Sequence, residues 1–294
     1  MRVSEICRPF WLVTTDHLTD RIWFRDEEDF KVGMNLVAIL AFTLQVEVYA
    51  FILMSNHLHF VIACTKEVAS RFINEYKRRY AQYAARKYGT KELLRGNGVD
   101  IRPIEGNDEA LEWAIAYVQM NSVAANICLN AADYPWGTGG AFFKVAPSRG
   151  RRLDSFSGRA RICLLHSEVD MPSGLQVGEG GYILPESYVC VDRVEALFRT
   201  PRRMNYFLQN SSKAKRRLSA DETGIPAFRD QVIQAAIPDL CHSLFRKRSV
   251  AELEEKEQAE LLKQLRFRFS AQVNQLARVT GLSYERAAVL LEGM

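Results

Sequence analysis

Two short groups of side chains in this sequence have the types and spacing to do chemistry. The first is His57-Leu58-His59. Read as part of a strand, positions i and i+2 lie on one face, so both imidazoles project together while Leu58 faces the other way. Two neutral imidazoles suit Mn, Zn, Fe or Ni and leave positions open for a third protein ligand, water or a phosphate oxygen. The plainer reading is a pair of histidines on a polar sheet face. The second group is Tyr117 and Asn121, four apart on a helical segment and so neighbours on one helix face. A tyrosine hydroxyl becomes a nucleophile where its deprotonated form is favoured, and a metal-bound phosphate would be its electrophile. The amide oxygen of Asn121 would complete a site of two histidines and one carbonyl oxygen with His57 and His59. The plainer reading puts Tyr117 on a buried helical stripe with Trp113 and Met120.

The elements that must position these residues follow from hydrophobic periodicity. Residues 10–17 are rich in β-branched and aromatic side chains and predict a strand. The acids of 26–29 suit a helix N-terminus, and Val32, Leu36, Ile39 and Leu40 supply an apolar stripe to a helix ending near Thr43. Residues 46–54 and 57–64 are strand-like and separated by Ser55-Asn56, which predicts a hairpin. From 68 to 88, Phe72, Ile73, Tyr76, Tyr80 and Tyr83 recur at helical spacing and Gly89 is the stop. A strand near 101–104 and a helix from 108 to about 128 follow. The order β-α-β-β-α-β and then a helix predicts an α+β class, a ferredoxin-like split βαβ with an antiparallel sheet and helices on one face.

Beyond this unit the composition shifts. Residues 144–182 are rich in Gly, Ser, Pro and Arg, so the chain divides into a first domain over 1–145, a linker or loosely structured stretch over 146–183 and a helical region over 184–294. Segments 186–199, 225–246 and 249–267 have helical spacing. The stretch 272–291 has two short helices around Gly281, with Ala277, Leu276, Leu282 and Leu290 at packing positions. That is the layout of a helix-turn-helix, in which Arg278 and Arg286 would meet duplex DNA, although a plain helical hairpin has the same outline.

The strand-turn-strand run Tyr49-Ala-Phe-Ile-Leu-Met-Ser-Asn-His-Leu-His-Phe-Val-Ile62, the helix Tyr117-Val-Gln-Met-Asn-Ser-Val-Ala-Ala125 and the run Asp133-Tyr-Pro-Trp136 occur in that order. Together with Thr14-Thr15 and Arg21-Ile-Trp-Phe-Arg-Asp26 upstream, they resemble the REP-associated tyrosine transposases, single-tyrosine HUH enzymes related to the IS200-like transposases, over about residues 8–143. The resemblance implies that His57 and His59 bind a divalent metal, Mg or Mn, with Asn121 as third ligand, and that Tyr117 attacks a phosphodiester of single-stranded or hairpin DNA to leave a 5′-phosphotyrosine and a 3′-hydroxyl. Where the family usually has Asn-Pro-Val-Arg-Ala, this chain reads Asn121-Ser122-Val123-Ala124-Ala125, without the proline and the arginine. A domesticated protein that recognises structured repeat DNA without cutting it is the alternative.

Composition and charge agree with a DNA-acting protein. With 48% hydrophobic and 25% charged residues in 294, the chain is globular in type and long enough for two domains. Its longest apolar run, 36–44, is broken by Gln45 and Glu47, and no apolar leader precedes it, so no membrane is involved and the expected location is the cytoplasm. Six scattered cysteines without any Cys-x-x-Cys spacing predict reduced thiols. Residues 1–150 hold 17 basic and 17 acidic side chains, against 22 and 18 in the remainder, so the surplus charge is C-terminal. Lys77, Arg78, Arg79, Arg86 and Lys87 interleave with tyrosines along one helix, a pattern that can track a DNA backbone. The chain would act as a monomer or a homodimer.

Overall fold

The computed structural model of the protein describes residues 8–18, 21–90, 92–125, 127–146, 148–212, 228, 230–269 and 271–292. Lys213, Lys215, Arg216 and Arg217, part of the C-terminal surplus of basic charge, and Cys7 lie outside the described residues.

The first strand, β1 (Phe10–Thr15), lies in the middle of an antiparallel sheet in the order β2-β3-β1-β4, with β2 (Glu47–Leu53), β3 (Leu58–Ala63) and β4 (Val99–Pro103). Two helices join these strands, and local chemistry sets their ends. In α1 (Glu27–Thr43), the Asp26 side chain accepts from the Asp29 amide at the N-terminus. In α2 (Lys66–Tyr88), Thr65 is the N-cap and Gly89 closes the helix at φ 71°, in the left-handed region where glycine carries no Cβ penalty.

Helices cover both faces of the sheet, which corrects the expectation of one. The rings of Phe60 and Phe72 meet at 5.3 Å and those of Phe60 and Tyr76 at 5.8 Å, so this face of β3 lies under α2. One residue earlier His59 points to the opposite face, where it meets Tyr117 of α3 (Asp108–Gln119). Every residue of β3 is buried, and a strand apolar on both sides needs a cover on both. The helix predicted over 108–128 ends at Gln119 and resumes as the short α4 (Asn121–Ala124).

The stretch 146–183 contains β5 (Gly150–Arg152) paired with β6 (Gln176–Gly178), and α5 (Gly158–Leu165). Leu153, Leu165, Met171, Leu175, Val177 and Ile183 form a cluster with Ala38 and Ile39 of α1. Buried Asn35 ties it down, donating to the Leu164 carbonyl and accepting from the Ile183 amide. Next come α6 (Val191–Phe198) and α7 (Pro201–Asn210), whose Val194, Phe198, Met204 and Phe207 join the main core.

A second apolar cluster belongs to the C-terminal helices α8 (Asp230–Phe245), α9 (Glu255–Phe269), α10 (Val273–Thr280) and α11 (Tyr284–Glu292). Gly281 breaks α10 from α11 at φ 75°, as the sequence pattern predicts. Ile22, from the loop after β1, is the one residue of the first half among its buried members. Among the described residues no helix is long and apolar enough to cross a membrane, and Cys64, Cys163, Cys190 and Cys241 are free thiols.

Candidate active site

The register of β1 against β3 pairs Thr14 with His59. Thr14 Oγ1 lies 2.9 Å from His59 Nδ1, and Thr15 Oγ1 accepts from the Leu58 amide at 3.0 Å. The Thr14-Thr15 pair therefore holds the start of β3 and one of its histidines. His57 lies just outside the strand, at the end of the turn, where its carbonyl accepts from the Met54 amide. Asn56 orients it. Its amide nitrogen donates to the Leu18 carbonyl at 3.1 Å, which leaves its oxygen to accept from His57 Nδ1 at 2.9 Å. That hydrogen bond puts a proton of His57 on Nδ1 and, in the neutral imidazole, would leave the lone pair on Nε2.

The rings of His57 and His59 meet edge to face at 4.8 Å, and those of His59 and Tyr117 at 5.5 Å. Tyr117 and the two histidines, read separately in the sequence, thus lie in ring contact. Both imidazoles are buried, at 5% and 1% exposure, and Tyr117 is half-buried. A third imidazole, from exposed His17, stacks on His57 at 3.6 Å. Sequence reasoning missed it, and strand register would not have found it, because continuing the 14-to-59 pairing by two residues sets Asp16 rather than His17 opposite His57.

Asn121 sits at the break between α3 and α4, buried, with its amide nitrogen donating to the carbonyls of Tyr117 at 2.9 Å and Val118 at 3.1 Å. The break therefore forms without a proline. Its neighbour Ser122 is fully buried and accepts from Cys128 Sγ. With its amide hydrogens used in this way, the oxygen is the atom of Asn121 that has ligand chemistry.

The donor chemistry suits a divalent ion. Two buried imidazoles, each gripped at Nδ1 by a side-chain oxygen, would present Nε2, the arrangement in which metal-binding histidines are normally oriented. Among the described residues no group of three or more His, Cys, Asp or Glu is disposed to hold a metal, so the pair would need an oxygen donor of another kind.

The basic residues of α2 stand elsewhere. Lys77 donates to the Asn97 carbonyl, and Lys87 binds Asp26 and Asp29 at 2.7 and 2.9 Å. Arg78 and Arg79 both pair with Glu75, while Arg86 is exposed. Arg78, Arg79, Arg86, Lys87 and His166 line a cleft of about 410 Å³ with Val32 and Leu36 of α1. It belongs to the α1 and α2 side of the sheet, opposite His59 and Tyr117. The tyrosines divide as their spacing implies: Tyr76 and Tyr80 are fully buried, and burial pushes both phenols well above their ordinary range.

Neither C-terminal arginine projects alone. Arg286 pairs with Glu255 at 3.3 Å. Arg278 is drawn inward, with Nε 3.1 Å and Nη2 3.2 Å from the carboxylate of buried Asp230. That same carboxylate accepts from Gln275 at 2.9 Å and, at 2.6 Å, from Ser55 in the turn before His57. A little further along, Gln231 donates to the Phe24 carbonyl.

No family model matches the chain, and no curated protein matches it. Among solved structures it is similar to a REP-associated tyrosine transposase bound to a REP hairpin, at 14% identity and a TM-score of 0.36, over 47% of this chain and 81% of that one.

Proposed function

We propose that this protein is a metal-dependent endonuclease and strand transferase for single-stranded, hairpin-associated DNA, with Tyr117 as nucleophile and a ferredoxin-like domain as its frame. The observation that carries the proposal is the run of ring contacts from His57 through His59 to Tyr117. Chance placement of two histidines on a polar face would not also bring them to the one tyrosine that the helix spacing singles out.

In this reading the phenolic oxygen of Tyr117 attacks a DNA phosphorus, and the bond from phosphorus to the 3′-oxygen breaks. Tyr117 gives up its proton, the departing oxygen takes one up, and the products are a 5′-phosphotyrosyl strand and a 3′-hydroxyl. A second 3′-hydroxyl attacking the phosphotyrosine reverses these steps, rejoins DNA and restores the phenol. Each step exchanges one phosphoester for another, so no nucleotide is consumed. His57, His59 and the Asn121 oxygen would hold Mg or Mn, whose chemistry is Lewis-acid stabilisation of phosphate charge and orientation of the scissile group. In this reading the perpendicular contact of His59 with Tyr117 would limit the directions from which the phenol approaches.

The test is to incubate the purified protein with Mn²⁺ and a labelled single-stranded hairpin, then look for an adduct that survives denaturation. The expected result is an adduct present in the wild type and absent in Tyr117→Phe and His57→Ala. Tight hairpin binding without an adduct would instead establish a binding protein. Free 5′-phosphate ends without linked protein would indicate a hydrolase acting through activated water.

A further inference from the structure

The C-terminal helices touch the first domain at a place of consequence. Asp230, the first residue of α8, is buried and carries four hydrogen bonds on its carboxylate. Oδ1 accepts from Gln275 Nε2 at 2.9 Å and from Arg278 Nη2 at 3.2 Å, and Oδ2 accepts from Arg278 Nε at 3.1 Å and from Ser55 Oγ at 2.6 Å. Three of these donors belong to α10 and hold the carboxylate from behind. The fourth belongs to the β2 to β3 turn, 175 residues away in sequence.

That turn is where the orientation of His57 is decided. Ser55 accepts at its carbonyl from the Trp23 amide at 2.7 Å, and the next residue, Asn56, carries the oxygen that receives His57 Nδ1–H. Around the same point Ile22 is buried in the C-terminal cluster and Gln231 grips the Phe24 carbonyl. The loop before α1 and the His57 turn thus both meet the C-terminal helices, the loop through Ile22 and the Phe24 carbonyl and the turn at a buried carboxylate bonded on both oxygens. A buried carboxylate tolerates little movement, because any displacement strands it without its charge partner.

We propose that Asp230 is a positioning residue for His57: held by Arg278 and Gln275, it fixes Ser55 and thereby the Asn56 turn that orients the imidazole, so that the C-terminal helices brace the site. This rests on the metal-site reading of His57 and His59 given above. It also gives Arg278 a task other than meeting DNA.

The experiment is Co²⁺ binding to the full chain, followed by calorimetry and by the visible absorption of the bound ion. The variants are Ser55→Ala, which removes the contact across the two units and leaves the Arg278 pair in place, and Ser55→Thr, which keeps the hydroxyl. Loss of an outer partner of a metal-binding histidine typically weakens metal affinity about 10- to 100-fold. Ser55 stands one step behind that partner, Asn56, so Ser55→Ala is expected to weaken Co²⁺ binding at the low end of the range, about 10-fold, shift the absorption bands and leave the far-ultraviolet circular dichroism unchanged, with Ser55→Thr restoring affinity. Unchanged affinity and bands in Ser55→Ala would overturn the brace while leaving the metal site standing. Failure of Ser55→Thr to recover would overturn it too, since the hydroxyl would then not be the operative group. No Co²⁺ binding by the wild type, or binding indifferent to His57→Ala, would remove the metal site itself and the brace with it.

Discussion

Lys87 and Arg86 are adjacent cations with opposite roles. The Lys87 ammonium lies 2.7 Å from Asp26 and 2.9 Å from Asp29, whose carboxylate is fully buried. Asp29 also accepts from the Tyr83 and Tyr88 hydroxyls and from the Arg25 amide. Replacing Lys87 with Met strands that carboxylate without its counter-charge, at an expected cost of about 3 kcal/mol, the low end for breaking a buried pair because three neutral donors remain. Arg86→Met, on an exposed side chain, should stay within about 0.5 kcal/mol. Urea unfolding of the two variants decides it, and equal losses would show that Asp29 does not depend on Lys87. The same network sets an acid limit. Burial pushes the Asp26 carboxyl up, but the Lys87 ammonium, the Asp29 amide and the Tyr88 hydroxyl outweigh it and hold it below the ordinary range. A lowered folded value means that the stabilisation is present above the unfolded value, near pH 4, and lost as pH falls through the folded one. The melting temperature of the wild type should therefore drop more steeply than that of Asp26→Asn below about pH 4, and run parallel to it above about pH 5. Parallel curves throughout would remove Asp26 from the acid response.

Between elements, α1 comes close to the layer beneath it at Gly33. A Cβ there would lie 2.7 Å from the Phe24 ring, 2.8 Å from Tyr76 Oη and 3.0 Å from Leu53, and Tyr76 donates to the Gly33 carbonyl. Alanine is the better helix former by about 1 kcal/mol, yet overpacking a filled core typically costs about 1 to 3 kcal/mol. Gly33→Ala should therefore lower the melting temperature, whereas Gly158→Ala, where a Cβ would meet nothing within 4 Å, should not. A rise with Gly33→Ala would mean that α1 can shift outward. The same distinction between local and distant causes explains what could be read from sequence. The ends of α1 and α2 were legible because Asp26, Thr65 and Gly89 act within one turn. The pairing of β5 with β6 was not, because its apolar residues find their partners on α1, more than a hundred positions away. Nor was the face taken by α3, which depends on which side of β3 receives it. Of the candidate site, spacing put His57 with His59 and Tyr117 with Asn121; that the histidines meet Tyr117 depends on the face of β3 that α3 takes. His17 needed the path of the chain beyond β1, and Asp230 needed a contact spanning 175 positions.

At the scale of the molecule, the main core and the C-terminal cluster meet, among the described residues, at Ile22, at the Asp230 carboxylate with Ser55, and at Gln231 on the Phe24 carbonyl. Such a junction should part before either cluster melts, and the cysteines are placed to report it. Cys64 lies in the main cluster and Cys241 in the C-terminal one, both buried, while Cys163 is exposed. Burial pushes the Cys64 and Cys190 thiols up to about 11, so at pH 8 only roughly one thiol in a thousand is the reactive thiolate. It raises Cys241 in the same sense. With a thiol reagent at pH 8, Cys163 should be modified at once, and Cys64 and Cys241 only as their clusters open. In a urea series read by mass spectrometry for each cysteine, Cys241 is expected to react at a lower concentration than Cys64, because its cluster is the smaller and, among the described residues, Ile22 is the only one of its buried members that comes from outside residues 233–290. Ser55→Ala should move the Cys241 midpoint down and leave that of Cys64 in place. A shared midpoint, moving together in the variant, would mean that the Asp230 junction makes the two clusters one cooperative unit, and that the His57 turn is only as stable as the helices behind it.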